Sequence, residues 1–305
     1  MTEDQIDVAP FNPDLYDVDV LMVGAGIFGS VIGAQLESIG RDVFYIDADQ
    51  SLRGSRPAAC LIRPSWLSKM GKETYEPALK TLDQLYGLKS LTFRTRPLNR
   101  EVHVHWIDPA DILKTENVHR GYVRAISHET VKIGPPGATK NGRPIAKLKL
   151  NTGWWNVRAN IIVVATGIWT NKLFPHVEVK AQMGAAFVWE NSTIEDNFIS
   201  VWAPYRQLLG MNQWQPNTVW CGDGSVIIKK NFNQERIAQS AARCARATGL
   251  EASKARILVG ARPYTERSPY YLEEVLSGVF IATGGAKNGT AAAGAVARAI
   301  SQAVT

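Results

Sequence analysis

The sequence predicts an α/β protein in which a parallel-sheet lobe is interrupted by a smaller, β-rich lobe. Three observations support this fold class: a strand–turn–helix–strand unit near the N-terminus, a strand–turn–helix unit at the C-terminus, and many short strand-like runs between them. Continuous apolar strands, which both units contain, are typical of parallel sheets that are buried on both faces. Because the two units lie far apart in the sequence, the parallel-sheet lobe must be assembled from separate segments.

The N-terminal unit contains a G-x-G-x-x-G motif between a strand at 18–23 and a helix predicted from Ile27 to Ile39. In this motif Gly24 makes the tight turn, Gly26 lets a pyrophosphate approach the backbone, and Gly29 lets the helix pack closely on the strand. The first N–H groups of the helix then point toward that pyrophosphate. The motif and its setting predict a dinucleotide site.

The second strand of this unit, at 43–46, ends at Asp47, which lies 23 positions after Gly24. An acid about 20 residues after the first glycine holds a ribose hydroxyl in such folds. An acid here favours an unphosphorylated ribose, so we expect NAD or FAD rather than NADP. The loop at 51–64, rich in Gly, Pro, Ser and Arg, follows and is predicted to cap a ligand.

The middle of the chain alternates short predicted elements. Helices are predicted at 75–86, from 108 and at 235–248, a loop at 134–144, and strands at 91–93, 102–106, 122–126, 130–133, 145–150, 154–157, 161–165, 185–189, 199–204, 218–221 and 226–228. Thr166 and Gly167 mark a bend at the C-terminal end of a buried strand, where open α/β sheets place ligands. His103 and His105 share one strand face, which we interpret as a polar face because no third metal ligand is apparent.

The C-terminal unit consists of a buried strand at 279–283, a Gly-rich turn and a helix predicted at 291–304. It directs a second helix N-terminus at the same ligand. An NAD dehydrogenase would more often keep its cofactor lobe in one piece, so the interrupted layout favours FAD. The predicted division is a leader (1–16), a discontinuous Rossmann-like FAD-binding lobe (17–64, 116–175 and 259–305) and a substrate lobe (65–115 and 176–258).

Composition excludes several classes of protein. No apolar run reaches the ~18 residues of a transmembrane helix, and the acidic first residues do not resemble a secretory signal. Three scattered cysteines predict neither a disulfide framework nor a metal site, so we expect a cytoplasmic protein.

Residues 1–50 hold ten acidic side chains and one basic one, a net charge of −9, whereas residues 51–305 hold 33 basic and 18 acidic ones, a net charge of +15. This basic excess is either ordinary solvated surface or a face for an anionic partner such as DNA or RNA.

In the order of its motifs the chain resembles the flavoprotein family of D-amino-acid oxidase and glycine oxidase. The resemblance rests on the N-terminal glycine unit, the loop at 51–64, the hairpin followed by Ile-Val-Val-Ala-Thr-Gly-Ile-Trp, and two C-terminal motifs, G-A-R-P-Y-T at 260–265 and A-T-G-G-A-K-N-G at 282–289. It implies FAD, bound noncovalently because no cysteine lies near the C-terminal glycines. It implies cofactor contacts from Gly24, Gly26, Ile27, Phe28, Gly29, Asp47, Ala48, Ser55, Arg56, Ala59, Cys60, Val123, Ala165, Thr166, Gly167, Trp169, Arg262, Gly284, Gly285, Lys287, Asn288, Gly289 and Thr290.

The same resemblance implies the chemistry: transfer of a hydride from the carbon beside an amine nitrogen to the flavin, leaving an imine that water splits. The resemblance implies that Arg262 binds the substrate carboxylate with two parallel hydrogen bonds. Tyr264 and Tyr205 are candidates to shape the pocket or to hydrogen-bond the carboxylate, and residues 182–184 to line the flavin face. The chain departs from the family in the run Glu266–Pro269, where an aspartate is usual, and in the short span 64–118, which leaves a smaller lid.

Three hypotheses for the substrate stay open. The first is a glycine-like amine on a nucleobase in DNA or RNA, of the glycyl-thymine or carboxymethylaminomethyl-uridine type, which the basic excess and the small lid favour. The second is a small free amino acid such as glycine, sarcosine or a D-amino acid. The third is a flavin-binding subunit without activity, against which Arg262 and the intact glycine turns argue.

Overall fold

The computed structural model describes residues 15–67, 70–132, 139–203, 206–225, 233–267 and 269–305. Its strands are β1 (Leu15–Val23), β2 (Val43–Asp47), β3 (Leu61–Ile62), β4 (Lys89–Arg96), β5 (Arg100–Trp106), β6 (Val118–Lys132), β7 (Thr139–Leu150), β8 (Gly153–Val164), β9 (Lys180–Glu190), β10 (Phe198–Ala203), β11 (Arg206–Asn212), β12 (Thr218–Gly222), β13 (Arg256–Tyr264), β14 (Tyr270–Leu276) and β15 (Val279–Gly284). Its helices are α1 (Ile27–Ser38), α2 (Lys72–Tyr86), α3 (Pro109–Ile112), α4 (Thr170–Leu173), α5 (Gln234–Thr248) and α6 (Gly289–Ala303). The predicted α/β fold class is confirmed.

Over the described residues, the strands form two sheets. In the first, parallel strands run in the order β6–β2–β1–β8–β15, and β14 pairs antiparallel at the edge. The strands β6, β7 and β8 also form an antiparallel meander, so that both outer strands of the meander continue into the parallel sheet. The second sheet has the order β13–β9–β12–β11–β10–β4–β5–β3.

Strand β1 is apolar throughout its second half because both of its faces are covered. Val20 and Met22 belong to the core that packs against α1 and α6, whereas Leu21 and Val23 belong to the core on the meander side. All four side chains are at most 4% exposed. Burial on both faces explains why this part of the strand is a continuous apolar run in the sequence.

The long predicted elements are confirmed with small shifts in their ends. Helix α1 ends at Ser38, and strand β15 extends to Gly284. Other boundaries were wrong. The two strands predicted at 122–126 and 130–133 are one strand, β6, and β7 begins at Thr139, inside the predicted loop, because the antiparallel pairing with β6 extends that far. The predicted strand at 226–228 and residues 1–14 of the predicted leader lie outside the described residues, and β1 already begins at Leu15.

The predicted division into lobes stays a prediction, but the segments distribute clearly between the sheets. Segments 17–47, 118–164 and 270–284 supply the strands of the first sheet. Strand β13, which carries Arg262, pairs along its whole length with β9 in the second sheet. A side chain on β13 therefore approaches the first lobe from the other sheet.

Candidate functional site

A cavity of about 1160 Å³ collects residues from both sheets. Its walls include the C-terminal ends of β1 and β2, the starts of α1 and α6, the loop after β2, and side chains of β9, β11, β12 and β13. The C-terminal edge of a parallel sheet is where ligands bind in open α/β folds. The volume exceeds the usual range for drug-sized ligands and suits a larger molecule or two molecules together.

The glycines of the first turn are required by close backbone contacts. Gly24 has φ +102°, and a Cβ there would lie 2.5 Å from the carbonyl oxygen of Ala165. A Cβ on Gly29 would lie 1.7 Å from the carbonyl oxygen of Gly24. Gly29 therefore lets α1 pack against the turn, as the motif predicts. Gly29 itself lies behind the cavity wall and does not line the cavity.

The N-termini of α1 and α6 both border the cavity. Neither helix has an acidic residue in its first turn, and neither has an N-cap side chain that bonds to the helix. In α1, the Oγ atom of Ser55 accepts a hydrogen bond from the backbone N–H of Ile27 at 3.0 Å. Two helix starts that lack their own negative group favour an anion such as a pyrophosphate between them.

Asp47 lies at the end of β2 and is held in place by the chain around it. Its Oδ2 accepts a hydrogen bond from the N–H of Ala25 at 2.6 Å, and its Oδ1 lies 2.7 Å from a guanidinium nitrogen of Arg53. A carboxylate has about four acceptor positions, so these contacts orient the group and leave capacity for a ribose hydroxyl.

The loop after β2 is attached to both sheets. The backbone N–H of Ala261 on β13 bonds to the carbonyl of Leu52 at 3.0 Å. The indole nitrogens of Trp214 and Trp220 donate to the carbonyls of Ala58 and Pro57 at 3.0 and 3.1 Å. The loop thus forms a wall of the cavity that the second sheet holds against the first.

Arg262 places a guanidinium group in the cavity. Its Nη1 atom is buried and has no hydrogen-bond partner among the described residues. Burial lowers the pKa of Arg262, and the charge of Asp223 acts in the opposite direction. An arginine stays protonated in proteins, so the cavity contains a buried positive charge with an unused donor.

The carboxylate of Asp223, whose charge acts on Arg262, is itself held by several other groups. Its carboxylate accepts hydrogen bonds from the N–H and Oγ of Ser225, both at 2.9 Å, and lies 2.7 Å from a guanidinium nitrogen of Arg243. Burial raises the pKa of Asp223, but these hydrogen bonds outweigh it and leave the pKa below its ordinary value. The carboxylate therefore stays ionised beside Arg243.

Most of the residues predicted for the site do line the cavity. They are Gly24, Gly26, Ile27, Phe28, Asp47, Ala48, Ser55, Ala59, Cys60, Val123, Ala165, Thr166, Gly167, Trp169, Arg262, Gly284, Lys287, Asn288, Gly289 and Thr290. Burial raises the pKa of the Cys60 thiol to about 12, so it is a poor nucleophile.

A few predicted residues lie elsewhere. Gly29 and Gly285 lie behind the wall, and Arg56 pairs with Asp49 at 2.9 Å. Tyr264, which is 37% exposed, and residues 182–184 do not line the cavity. Tyr205 lies outside the described residues. The pocket-shaping role predicted for Tyr264 and the flavin-facing role of 182–184 find no support in these positions, because Tyr264 is the exposed last residue of β13 and Ala185 and Ala186 form that wall.

Sequence reasoning missed several wall residues, notably Arg53, Trp66 and Trp220. Arg53 carried a signal, because it lies in the loop that was expected to cap a ligand. Trp66 lies just beyond that loop and Trp220 lies on β12, and no pattern in the sequence brings either side chain to the cavity.

Comparison with known proteins decides the family. Residues 120–303 match the family model described as DAO, FAD dependent oxidoreductase, over more than half of the chain. The chain belongs to this family. The predicted family and its cofactor FAD are therefore confirmed, and the protein is an FAD-dependent oxidoreductase.

Solved structures share the fold of this oxidoreductase along nearly its whole length. An iminodiacetate oxidase from a Chelativorans species superposes with a TM-score of 0.63 at 16% identity, covering 93% of this chain and 95% of that one. A glycine oxidase from Geobacillus kaustophilus gives 0.62 at 15% identity, covering 94% of each chain. An L-amino acid deaminase from Proteus vulgaris gives 0.63 at 13% identity, covering 93% and 88%. No protein with a curated description matches the sequence.

The cavity fits FAD. The extended backbone at Gly26, the two helix starts and Asp47 would hold the pyrophosphate and ribose of the oxidoreductase's cofactor.

The described residues contain no group of three or more metal-ligating side chains and no helix long and apolar enough to cross a membrane.

Proposed function

We propose that the protein oxidises the C–N bond of an amine that carries a carboxylate, and that the amine is attached to a nucleobase in DNA or RNA. When bound, FAD accepts the hydride that leaves the carbon beside the amine nitrogen. The nitrogen lone pair forms the imine, and water then splits it into a carbonyl compound and an amine. The chain itself must hold the substrate, keep its amine neutral and exclude bulk water.

One observation carries the proposal: Arg262 lines the cavity, and its buried Nη1 atom has no hydrogen-bond partner among the described residues. A buried donor without a partner costs about 1–3 kcal/mol, and more when it is charged, unless a ligand satisfies it. A carboxylate matches a guanidinium with two parallel hydrogen bonds, which fixes the orientation of the substrate as well as its charge.

The names of two structural neighbours agree with this chemistry. Iminodiacetate and glycine, the compounds named for those oxidases, are both amines that carry a carboxylate. Their low identity to this chain leaves the substrate itself to be argued from the cavity.

A second unsatisfied donor supports a substrate larger than glycine. Of the described buried polar atoms without a hydrogen-bond partner, two belong to cavity-lining residues: Nη1 of Arg262 and Nε1 of Trp66. An indole N–H suits a neutral acceptor such as a ring carbonyl. A pyrimidine base with a carboxylate-bearing amine offers both acceptors, and the side chains of Trp220 and Leu209 add an apolar wall.

The alternative is a small free amino acid as substrate, and the neighbours' names favour it. A free glycine or D-amino acid would satisfy Arg262 but would leave the donor of Trp66 to another group. An inactive flavin-binding subunit is the third hypothesis, and it leaves the buried charge of Arg262 unexplained.

Arg262→Ala tests the carboxylate site. We expect KM to rise at least tenfold while the flavin spectrum of the purified protein stays unchanged, because the variant removes the anchor for the carboxylate and not the cofactor cradle. Arg267→Ala is the matched control, since Arg267 lies five residues away, is 65% exposed and pairs with Glu273. An unchanged KM in Arg262→Ala contradicts the assignment.

Anaerobic mixing distinguishes the substrates. Bleaching of the flavin absorbance by glycine, sarcosine or D-alanine would favour the free amino acid. Bleaching only by an oligonucleotide that carries a glycyl-modified pyrimidine would support the nucleic-acid substrate, and no bleaching by any amine would leave the inactive subunit. A preparation that stays colourless after incubation with FAD would overturn all three.

A further inference from the structure

We propose that the outer face of the β6–β7–β8 meander is a docking surface for single-stranded nucleic acid. The inference rests on the nucleic-acid part of the proposed function and names where the strand is held. We call this face, formed by Tyr122, Lys147, Lys149 and Trp154, the meander platform.

The register of the meander places these side chains on one face. Tyr122 on β6 pairs with Lys149 on β7, which in turn pairs with Trp154 on β8. Directly paired residues in an antiparallel sheet point to the same side, and Lys147 lies two residues from Lys149 along β7. The side chains that alternate with these residues along the strands point to the opposite face of the meander, where Leu148, for example, is fully buried. The meander platform is therefore the outer face.

The meander platform combines aromatic rings with positive charge. The rings of Tyr122 and Trp154 meet edge to face at 6.5 Å, and the ammonium groups of Lys147 and Lys149 lie 5.1 and 5.3 Å from the centre of the Trp154 ring. Tyr122 is 49% exposed. Proteins that bind single strands use this combination: cations follow the phosphates and aromatic rings stack on bases.

Further basic side chains extend the surface toward the end of β2. Arg56 and Arg120 both pair with Asp49, at 2.9 and 2.8 Å, and Arg53 lies 3.5 Å from the same carboxylate. Arg53 also pairs with Asp47 at 2.7 Å, so two carboxylates face three guanidinium groups and one positive charge is left in excess. Arg143 and Arg158, farther along the meander, share Asp17, so basic side chains outnumber carboxylates there as well.

The meander platform is continuous with the cavity. Tyr122 and Arg124 line the cavity, whereas Lys147, Lys149 and Trp154 do not. The platform therefore begins at the rim and extends away from the cofactor cradle. A strand lying across it would hold the nucleotides that flank a modified base.

Single-stranded nucleic acid suits this surface better than a membrane or an acidic peptide. A phospholipid bilayer offers phosphates without planar rings, and an acidic peptide offers charge without a regular series of stacking partners. The rings of Tyr122 and Trp154, beside two lysines, offer stacking and charge together, which suits a partner that carries both planar rings and phosphates.

The test is the binding of a fluorescent single-stranded oligonucleotide to the FAD-loaded protein, measured by anisotropy at several salt concentrations. We expect the variant Lys147→Ala/Lys149→Ala to weaken binding at least tenfold and to reduce the salt slope by about 1.4, since each phosphate contact contributes about 0.7 for single strands. Trp154→Ala should weaken binding with an unchanged salt slope. Lys80→Ala/Lys89→Ala removes the same charge from exposed lysines elsewhere and should bind as the wild type does.

Each outcome has a defined meaning. If the wild type binds the oligonucleotide and the platform variants bind equally well, the docking surface is wrong while the nucleic-acid substrate stands. If the wild type does not bind, both fall. Equal competition by vesicles of anionic phospholipid would show a surface for any polyanion and overturn the inference. The flavin absorbance of every variant, unchanged from the wild type, shows that the fold and the cofactor site are intact.

Discussion

At the scale of single residues, the position of Arg262 depends on a glycine in the neighbouring strand. Gly184 on β9 pairs with Gly260 on β13, two residues before Arg262, and a Cβ on Gly184 would lie 2.3 Å from Nη1 and 2.6 Å from Cζ of the Arg262 guanidinium. No side chain other than hydrogen leaves room for the guanidinium in this place. Gly184 is thus a positioning residue for the proposed carboxylate contact.

Gly184→Ala should therefore displace the guanidinium of Arg262 without touching the cofactor cradle. We expect a rise in KM for a substrate that carries a carboxylate and little change for the corresponding amine that lacks it, because only the carboxylate contact is disturbed. Steady-state kinetics with the two substrates, together with the flavin spectrum, provide the measurement. An equal rise in KM for both amines would indicate a general disturbance of the sheet and contradict the positioning role.

The residues that carry a backbone requirement were predictable, and those placed by tertiary contacts were not. Gly24 and Gly29 are fixed by the steric demands of a strand–turn–helix unit, which the motif spacing records. Trp66 reaches the cavity only because the carbonyl of Trp66 accepts a hydrogen bond from Asn288, more than 200 residues later, at 3.0 Å. No local pattern encodes such a contact.

At the scale of elements, a group of polar contacts fastens the N-terminal strands to the last helix. Arg41 donates two hydrogen bonds to Asp19 on β1, at 2.7 and 2.8 Å, and one to the carbonyl of Val304 just after α6 at 3.2 Å. Asn160 on β8 also donates to Asp19 at 2.9 Å. Asp19 thus connects β1, β8 and the end of α6.

These contacts make stability depend on pH through Asp19. The hydrogen bonds from Arg41 lower the pKa of Asp19 from its ordinary value to about 2. A carboxyl whose pKa is depressed by folding stabilises the folded state above its unfolded pKa, and this contribution is lost as the pH falls toward 2. Asp19→Asn should lower the free energy of unfolding at pH 7 by on the order of 1 kcal/mol, given the partial exposure of the pair.

The measurement is urea unfolding between pH 7 and pH 2. The difference between Asp19→Asn and the wild type should be constant down to about pH 4 and should shrink below it. Glu116→Gln, which changes an exposed carboxyl, is the control and should follow the wild type throughout. A difference that stays constant down to pH 2 would argue against ionisation as the cause.

Element types were easier to predict than their ends. Helix α1 and strand β15 have strong apolar patterns and were located within one residue or two. Strands β11, β13 and β14 were not predicted, because their mixed polar sequences are ordered by pairing with other strands: β13 pairs with the distant β9, and β14 with the adjacent, strongly apolar β15. The extent of β6 and β7 likewise follows from their mutual pairing and not from composition.

At the scale of the whole molecule, the loop after β2 makes the two sheets dependent on each other. Its carbonyl groups accept hydrogen bonds from the indole N–H groups of Trp214 and Trp220, on the side of the second sheet. Its Ser55 side chain accepts a hydrogen bond from the first turn of α1. The cavity exists only while both sets of contacts persist. The sequence indicated two lobes, but their mutual dependence arises from side chains that no motif contains.

FAD should therefore stabilise both lobes at once. Binding at a free concentration 100 times Kd adds about 2.7 kcal/mol to the free energy of unfolding, and we expect a single calorimetric transition that moves to a higher temperature by several degrees. Riboflavin, which lacks the pyrophosphate and the adenosine, is the control and should produce a smaller shift. Two transitions of which only one responds to FAD would contradict the coupling.

The shared strands of the meander have a practical consequence for protein engineering. Because β8 begins in the meander at Gly153 and ends in the parallel sheet at Val164, the meander is not a detachable module, and deleting it or transplanting it would sever the centre of the neighbouring sheet. Among the described residues of the meander, the exposed hairpin tip at 151–152 offers a position where a tag or a reporter dye is tolerated without cutting through that continuity.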